Sequence, residues 1–270
     1  MRTAVRPPAG IRRFHPREHS VAQLVCFPHA GGSASAFSSL SAVLPADIEL
    51  LAVQYPGRQE RRTAPCARGV SALAEEAAGT LLQFADQPLV LFGHSMGALI
   101  AFETARLIEQ HGTVVRLFAS AGRPPSVDWG IRDLDECSDQ ALIADLRRLG
   151  GMPEQLLEEE EVRQEILRVL RADYHVLSSY RFLAGRVLSA PVTALLGDTD
   201  PKNNAGHAAG WARHTSAGLT VTVLPGGHFY LNDQLAVLAA LLATSIYQDL
   251  GCTASRPPEG ESGWDPALPT

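Results

Sequence analysis

At 270 residues and 46% apolar content, the chain is long enough to bury a sizeable core, as one α/β domain with an insertion or, at a stretch, two small ones. Its net charge of −6 argues against general nucleic-acid binding, and no run reaches the roughly 18 unbroken apolar residues of a membrane span, so neither a nucleic acid nor a membrane is an expected partner. The cysteines Cys26, Cys66, Cys137 and Cys252 stand apart without C-x-x-C spacing, which argues against a zinc site and against a disulfide framework.

The first twenty residues are rich in proline and arginine and read as an arm leading into the fold, with Ile11-Arg12-Arg13-Phe14 a candidate edge strand. The arm carries charge but lacks the apolar middle of a secretory signal, so a cytoplasmic protein is expected. Gln23-Leu24-Val25-Cys26-Phe27 then forms a compact apolar run that stops at Pro28-His29-Ala30-Gly31-Gly32. That pattern predicts a buried strand ending in a glycine-rich loop. The plain reading is a tight turn feeding a helix that begins near Ser35. Paired glycines also let a backbone approach a ligand closely, and the loop resembles the HGGG-type loop in which lipase-like enzymes keep an oxyanion donor.

Ile48-Glu49-Leu50-Leu51-Ala52-Val53 predicts the next strand, ending in the turn Gln54-Tyr55-Pro56-Gly57-Arg58. Arg58, Arg61, Arg62 and Arg68 follow, near the end of the sheet where loops after parallel strands gather. A solvated loop is the default explanation for them. Residues 70–84 carry Leu73, Ala77, Leu81 and Phe84 at helical spacing.

The apolar run Leu89-Val90-Leu91-Phe92 ends abruptly in Gly93-His94-Ser95-Met96-Gly97, a match to G-x-S-x-G. In that motif a serine sits on a sharp strand-to-helix turn with its hydroxyl exposed, and glycines flank it because the turn leaves no room for Cβ atoms. The context supports the match: a buried strand before it, and after it a helix with Leu99, Phe102, Ala105, Leu107 and Ile108 inward, ended by His111-Gly112. Residues 114–119 supply another strand, closed by Gly122-Arg123-Pro124-Pro125. Strand alternating with helix implies a mostly parallel sheet covered on both faces.

From about 126 to 186 the alternation stops. Leu142, Leu146 and Leu149 line one side of a helix ended by Gly150-Gly151, and Pro153 is placed to open the next. That second helix has Val162, Ile166, Val169 and Leu170 on one side, with Glu158 to Glu161 and Glu165 turned to water. The acidic run lacks histidines at ligand spacing, so a solvated face is expected and no metal. An amphipathic block inserted between sheet strands predicts a helical lid over the serine. Sheet rhythm returns at 191–196, followed by Gly197-Asp198-Thr199-Asp200-Pro201, and again at 219–224, ending in Pro225-Gly226-Gly227-His228-Phe229. A closing helix spans about 233–250, with Leu238, Leu241, Leu242 and Ile246 inward. The last residues are rich in Pro, Gly, Ser and acids and are expected to be disordered.

A serine hydroxyl needs a base within hydrogen-bond reach, and that base needs a carboxylate to hold its tautomer. Among the histidines, His15 and His19 sit in the arm, His111 caps a helix, His175 lies in the expected lid, and His207 and His214 fall in a helix-like connection. His94 adjoins the serine, but a neighbour on so tight a turn points elsewhere. His228 alone follows a late strand in a glycine-flanked loop, where its ring could cross to Ser95. Asp198 and Asp200 both lie at the active end. One further step beyond the strand favours Asp200, while Asp198 could instead cap the turn. Ser95, Asp200, His228 is the chain order of α/β-hydrolases. By analogy with them, the Ala30 and Met96 N–H groups would hold the oxyanion.

The chain resembles the type II thioesterases that accompany polyketide synthases and nonribosomal peptide synthetases. The resemblance rests on residues 24–33, Gln54-Tyr55-Pro56-Gly57-Arg58, residues 92–98, Leu146-Arg147-Arg148-Leu149-Gly150-Gly151, Gly197-Asp198-Thr199-Asp200-Pro201 and Gly226-Gly227-His228-Phe229. It runs from about Phe14 to Leu250. G-x-S-x-G is shared by many hydrolases, but the Tyr-Pro-Gly-Arg turn and the Phe-Pro-His-Ala-Gly-Gly loop together are far more specific. The resemblance implies an α/β-hydrolase fold, supports Asp200 as the acid, and implies hydrolysis of acyl groups from the phosphopantetheine thiol of an acyl or peptidyl carrier protein. No cofactor of its own is then expected.

The expected organisation is an arm at 1–20, a hydrolase core at 21–125 and 187–250, a lid at 126–186 and a tail at 251–270. Carriers are usually acidic, so a chain of net charge −6 needs a local positive area to meet them. Arg58, Arg61 and Arg62 are the candidates, with Arg147 and Arg148 next. A monomer is expected, and the absence of neighbouring modules favours a stand-alone editor over a chain-releasing domain. Two further readings share this sequence: a general carboxylesterase or lipase, and a hydrolase-fold binding protein without catalysis.

Overall fold

The computed structural model describes residues 7–129, 138–151 and 154–252. In chain order come β1 (Ile11–Arg12), β2 (Ala22–Phe27), α1 (Ser38–Val43), β3 (Ile48–Val53), α2 (Val70–Phe84), β4 (Leu89–His94), α3 (Met96–Ile108) and β5 (Val114–Ser120). Three helices follow: α4 (Asp139–Leu149), α5 (Gln155–Glu158) and α6 (Glu160–Ser179). The sheet then resumes with β6 (Val192–Gly197), α7 (Ala205–Gly210), β7 (Leu219–Leu224), α8 (Tyr230–Asp233) and α9 (Leu235–Leu250).

The strands lie in the order β1-β3-β2-β4-β5-β6-β7, with β1 antiparallel to β3 and every other pair parallel. This is the mostly parallel, helix-covered sheet of an α/β-hydrolase. The short apolar runs are explained by burial on both faces. Val25, Phe27 and Leu91 pack with α2 and α3, while Leu24, Cys26, Val90 and Phe92 pack with α1 and α9 on the other side. Period-two alternation is present, but both alternating sets are apolar, so the strands read as continuous runs. Each fully buried Leu or Phe contributes about 1.5–3 kcal/mol of transfer free energy. Helix α3 is apolar around most of its circumference because it is covered almost all round, from Met96 through Phe102.

At the edges, β1 falls within the candidate strand at residues 11–14 but is only two residues long. Residues 7–20 are packed along the sheet: Ile11 is buried, and the buried Glu49 of β3 accepts from Arg13 Nε at 2.8 Å and from the Arg17 N–H at 3.1 Å. A charge buried in an inner strand draws its partners from the arm, which ties the arm down. At the far edge β7 has one neighbour, and Val221 and Val223 stand exposed.

Helix α4 begins at Ser138, whose Oγ accepts the Ala141 N–H, and ends at Gly150 in a left-handed conformation, φ 71°. The buried side of α6 is Leu167, Val169, Leu170, Asp173, Val176 and Leu177, whereas Val162 and Ile166 are half-buried. The stripe differs from the expected one because the C-terminal half of α6 continues onto the α3 side of the core. Pro153, Cys137 and the tail from 253 lie outside the described residues. Among the described residues, no helix is long and apolar enough to cross a membrane, and no group of His, Cys, Asp and Glu could hold a metal ion.

Candidate active site

Strand β4 runs straight into the turn that carries Ser95. Its backbone sits at φ 55°, ψ −119°, a region that costs a non-glycine residue about 1–3 kcal/mol. The flanking glycines make the turn possible. A Cβ on Gly97 would stand 2.0 Å from the Phe27 carbonyl oxygen, and one on Gly93 would stand 2.1 Å from the Gly97 carbonyl oxygen. The Ser95 N–H donates to the Ser120 carbonyl at 2.8 Å, and the Ala98 N–H to the Ser95 carbonyl at 2.9 Å. Strand, serine and helix are thus one rigid unit.

His228 reaches this serine from the loop after β7, with Nε2 3.1 Å from Ser95 Oγ, and its Nδ1 lies 2.9 Å from Asp200 Oδ2. The loops after β6 and β7 press together so closely that a Cβ on Gly197 would lie 2.2 Å from the Gly226 carbonyl oxygen. That contact brings residues 200 and 228 into register. Asp198 does something else: its Oδ1 accepts the Gly226 N–H at 2.8 Å, the turn-capping alternative open in the sequence. Asp200 Oδ1 accepts the Lys202 N–H at 2.8 Å, and Oδ2 also accepts from Asn203 Nδ2 at 3.1 Å. Burial works to raise the Asp200 carboxyl, but its bond to His228 and these amides outweigh that and hold it below the ordinary carboxylate value.

Two further imidazoles crowd the site. The His94 ring lies 5.3 Å from that of His228 and 5.9 Å from that of His29, with Phe229 among them. His94 Nδ1 is 2.9 Å from Ser120 Oγ, which is 2.7 Å from the Tyr230 hydroxyl. Burial, then repulsion from His228, lowers His29 to about 3 and holds His94 well below the usual histidine range. Both are therefore uncharged near neutrality.

Met96 opens α3, and Ala30 follows β2; among the described residues neither N–H donates to a protein acceptor. The Ala30 loop is fixed from outside. Asp173 of α6 accepts the Gly31 N–H at 2.7 Å and takes two hydrogen bonds from Arg58, at 2.8 and 2.7 Å. Arg58 also donates to the Gly32 carbonyl at 2.9 Å. The expectation that Arg58 offers charge to a carrier is corrected here: only 5% exposed, it spends its donors on the loop and on Asp173. Burial alone would lower its pKa, but the Asp173 carboxylate raises it. Of the other arginines, Arg61 is half-buried and bound to Glu76, Arg62 is exposed, and Arg147 and Arg148 are exposed on α4, paired with Glu154 and Asp145.

Above Ser95 lies a cavity of about 400 Å³. Leu146, Leu149, Ile166 and Leu170 of α4 and α6 form an apolar wall, while Arg123, Trp129, Lys202 and Asn203 lie on the side of the body. The sequence reading missed Asp173, and the signal was present. A lone acid on the apolar stripe of α6 calls for a buried partner, and Arg58 is that partner.

A serine hydrolase of the α/β-hydrolase type is the class that this sheet and this elbow define. The family model for the thioesterase domain matches residues 22–245, and the chain belongs to the thioesterase family. It is similar to thioesterase PikA5 of Streptomyces venezuelae, 46% identical over 229 residues that cover 83% of this chain and 80% of that protein. Among solved structures it is similar to the type II thioesterase BorB from the borrelidin biosynthetic cluster, with 36% identity, TM-score 0.81 and 90% and 99% of the two chains covered. YbtT, the type II thioesterase of the yersiniabactin pathway, matches at 33% identity and TM-score 0.81, covering 89% and 99%. The chain is a type II, editing thioesterase of the polyketide and nonribosomal peptide kind, a family that acts on acyl groups borne by carrier proteins.

Proposed function

We propose that Ser95 is the nucleophile, His228 the base and Asp200 the orienting acid of a hydrolysis that frees acyl groups from the phosphopantetheine thiol of an acyl or peptidyl carrier. The hydrogen-bonded line from Ser95 Oγ through His228 to Asp200 carries this reading. His228 takes the Ser95 proton as Oγ attacks the thioester carbonyl, and the oxyanion is met by the Ala30 and Met96 N–H groups. Collapse breaks the C–S bond, and His228 returns the proton to the carrier thiol. Water, deprotonated by the same imidazole, then attacks the acyl-serine, releasing the acid and restoring Ser95. Two uncharged neighbours, His29 and His94, leave the transient positive charge to His228 alone.

Helices α4 to α6 act as the lid, shielding the acyl-enzyme from bulk solvent while the cavity beneath holds the acyl group and the attacking water. Arg61, Arg62, Arg147 and Arg148 remain the candidates for meeting an acidic carrier. Reversing the charge of Arg62 raises KM for a carrier-borne substrate while sparing a small thioester. The same reading has the protein working in the cytoplasm as a monomer, beside the synthase whose carriers it clears.

The deciding experiment incubates the protein with carriers bearing acetyl, propionyl and longer acyl groups, and weighs carrier and enzyme by mass spectrometry. The expected result is loss of the acyl mass from the carrier, abolished by Ser95→Ala. Undiminished turnover by that variant, or a preference for simple oxygen esters over carrier thioesters, overturns the proposal.

A further inference from the structure

The cavity is lopsided in charge. Among the described residues lining it, Arg123, Arg148 and Lys202 face a single carboxylate, Asp145. Arg148 Nη2 meets Asp145 Oδ1 at 2.7 Å, and Lys202 Nζ meets Oδ2 at 2.6 Å. Burial works to raise the Asp145 carboxyl, but Lys202, Arg148 and the Tyr174 hydroxyl hold it down to about 2, so it stays ionised and offsets one of its two partners. Arg123 meets no carboxylate among the described residues. Its donors go to the carbonyls of Lys202 and Asp128, which leave its charge uncompensated.

A second, independent observation lies on the same wall. Trp129 Nε1 is buried with no acceptor among the described residues. A buried donor is rarely left so, and cations gathered along one cleft repel one another unless an anion joins them. Guanidinium forks, an ammonium and an indole N–H all donate and none accepts, so the complementary ligand presents several oxygen acceptors and a negative charge.

We infer that Arg123, Arg148 and Lys202 form an anion-binding subsite within the cavity, which takes an anionic group of the substrate. The inference rests on Ser95 acting on a thioester in this same cavity. Two parts of such a substrate supply the anion: the phosphate of the pantetheine arm, or a carboxylate at the far end of the acyl group. The subsite thereby sorts substrates by charge, while the Leu146, Leu149 and Ile166 wall sorts them by shape.

Two matched pairs of small thioesters separate the sources. Acetyl-pantetheine against acetyl-4′-phosphopantetheine reads the phosphate; butanoyl against 3-carboxypropanoyl N-acetylcysteamine reads the carboxylate. The expected result is a preference in kcat/KM of about tenfold for the charged member of at least one pair, weakened by salt. Arg148→Gln, on an exposed side chain, and Arg123→Gln each bring that ratio toward one. No preference in either pair, or a preference that survives both variants, overturns the subsite. Failure of the underlying reading looks different: none of the four thioesters is hydrolysed, or Ser95→Ala hydrolyses them.

Discussion

Arg58 and Asp173 are joined by two parallel hydrogen bonds of 2.8 and 2.7 Å, and the Asp173 carboxylate also holds the Gly31 N–H. Residues 115 positions apart thus fix the loop that presents Ala30. Asp173→Asn leaves the Arg58 charge buried and uncompensated, a loss of about 3–5 kcal/mol in stability. It also lowers kcat by up to about 100-fold, the worth of a displaced oxyanion donor. The double variant Arg58→Met, Asp173→Leu recovers much of the stability without the activity. Denaturation midpoints and single-turnover rates on the three proteins check this, and a double variant as active as wild type contradicts it.

Asp198 and Asp200 are two residues apart, yet their substitutions separate. Asp200→Asn removes the group that orients His228 and lowers kcat by about 10⁴-fold. Asp198→Asn weakens one turn hydrogen bond, to the Gly226 N–H, costing about 1 kcal/mol of stability and leaving kcat within a few fold. Steady-state kinetics with a small thioester distinguish them, and equal losses in both would reassign the acid.

Stability falls as pH is lowered below about 6.5. His29 is depressed to about 3 and His94 is depressed as well, so the unfolded chain binds protons that the folded protein refuses. The slope approaches roughly 1.4 kcal/mol per pH unit for each such imidazole. Asp200 acts in a lower window: its depressed carboxyl adds stability above the unfolded value of about 3.9, lost only as pH drops through the folded value. Urea midpoints at pH 7.5 and 5.5 test the histidine window, and His29→Gln narrows the gap between them. A midpoint independent of pH contradicts the assignment.

Gly97→Ala places a Cβ against the Phe27 carbonyl, and neither backbone can yield, so the variant fails to fold or loses several kcal/mol. Gly79, exposed in α2 with no atom within 4 Å of its would-be Cβ, is the control. Gly79→Ala stabilises by about 0.4–1 kcal/mol. Thermal melts of the two side by side read the difference.

The sequence carried most of the sheet and the elbow, because strands buried on both faces leave apolar runs that little else produces, and because Ser95 needs glycines on either side. It carried the His228 pairing as well, since a histidine just past a late strand has few other uses. Between the two aspartates, the extra step past the strand and the family resemblance favoured Asp200, and the coordinates bring Asp200 to the ring while Asp198 caps the turn at Gly226. Arg58 misled. An arginine on a turn looks solvated until the partner that buries it is seen, and Asp173 lies 115 residues away on a helix whose buried face was only half legible.

Helix α4 is fastened to the body through Asp145 and Lys202, and α6 through Asp173 and Arg58. The Gly57 carbonyl also accepts from Arg168 of α6 at 2.6 Å, so the helices over Ser95 are tethered to the loops of the sheet at several places, and widening the cavity from their side means parting charged pairs first.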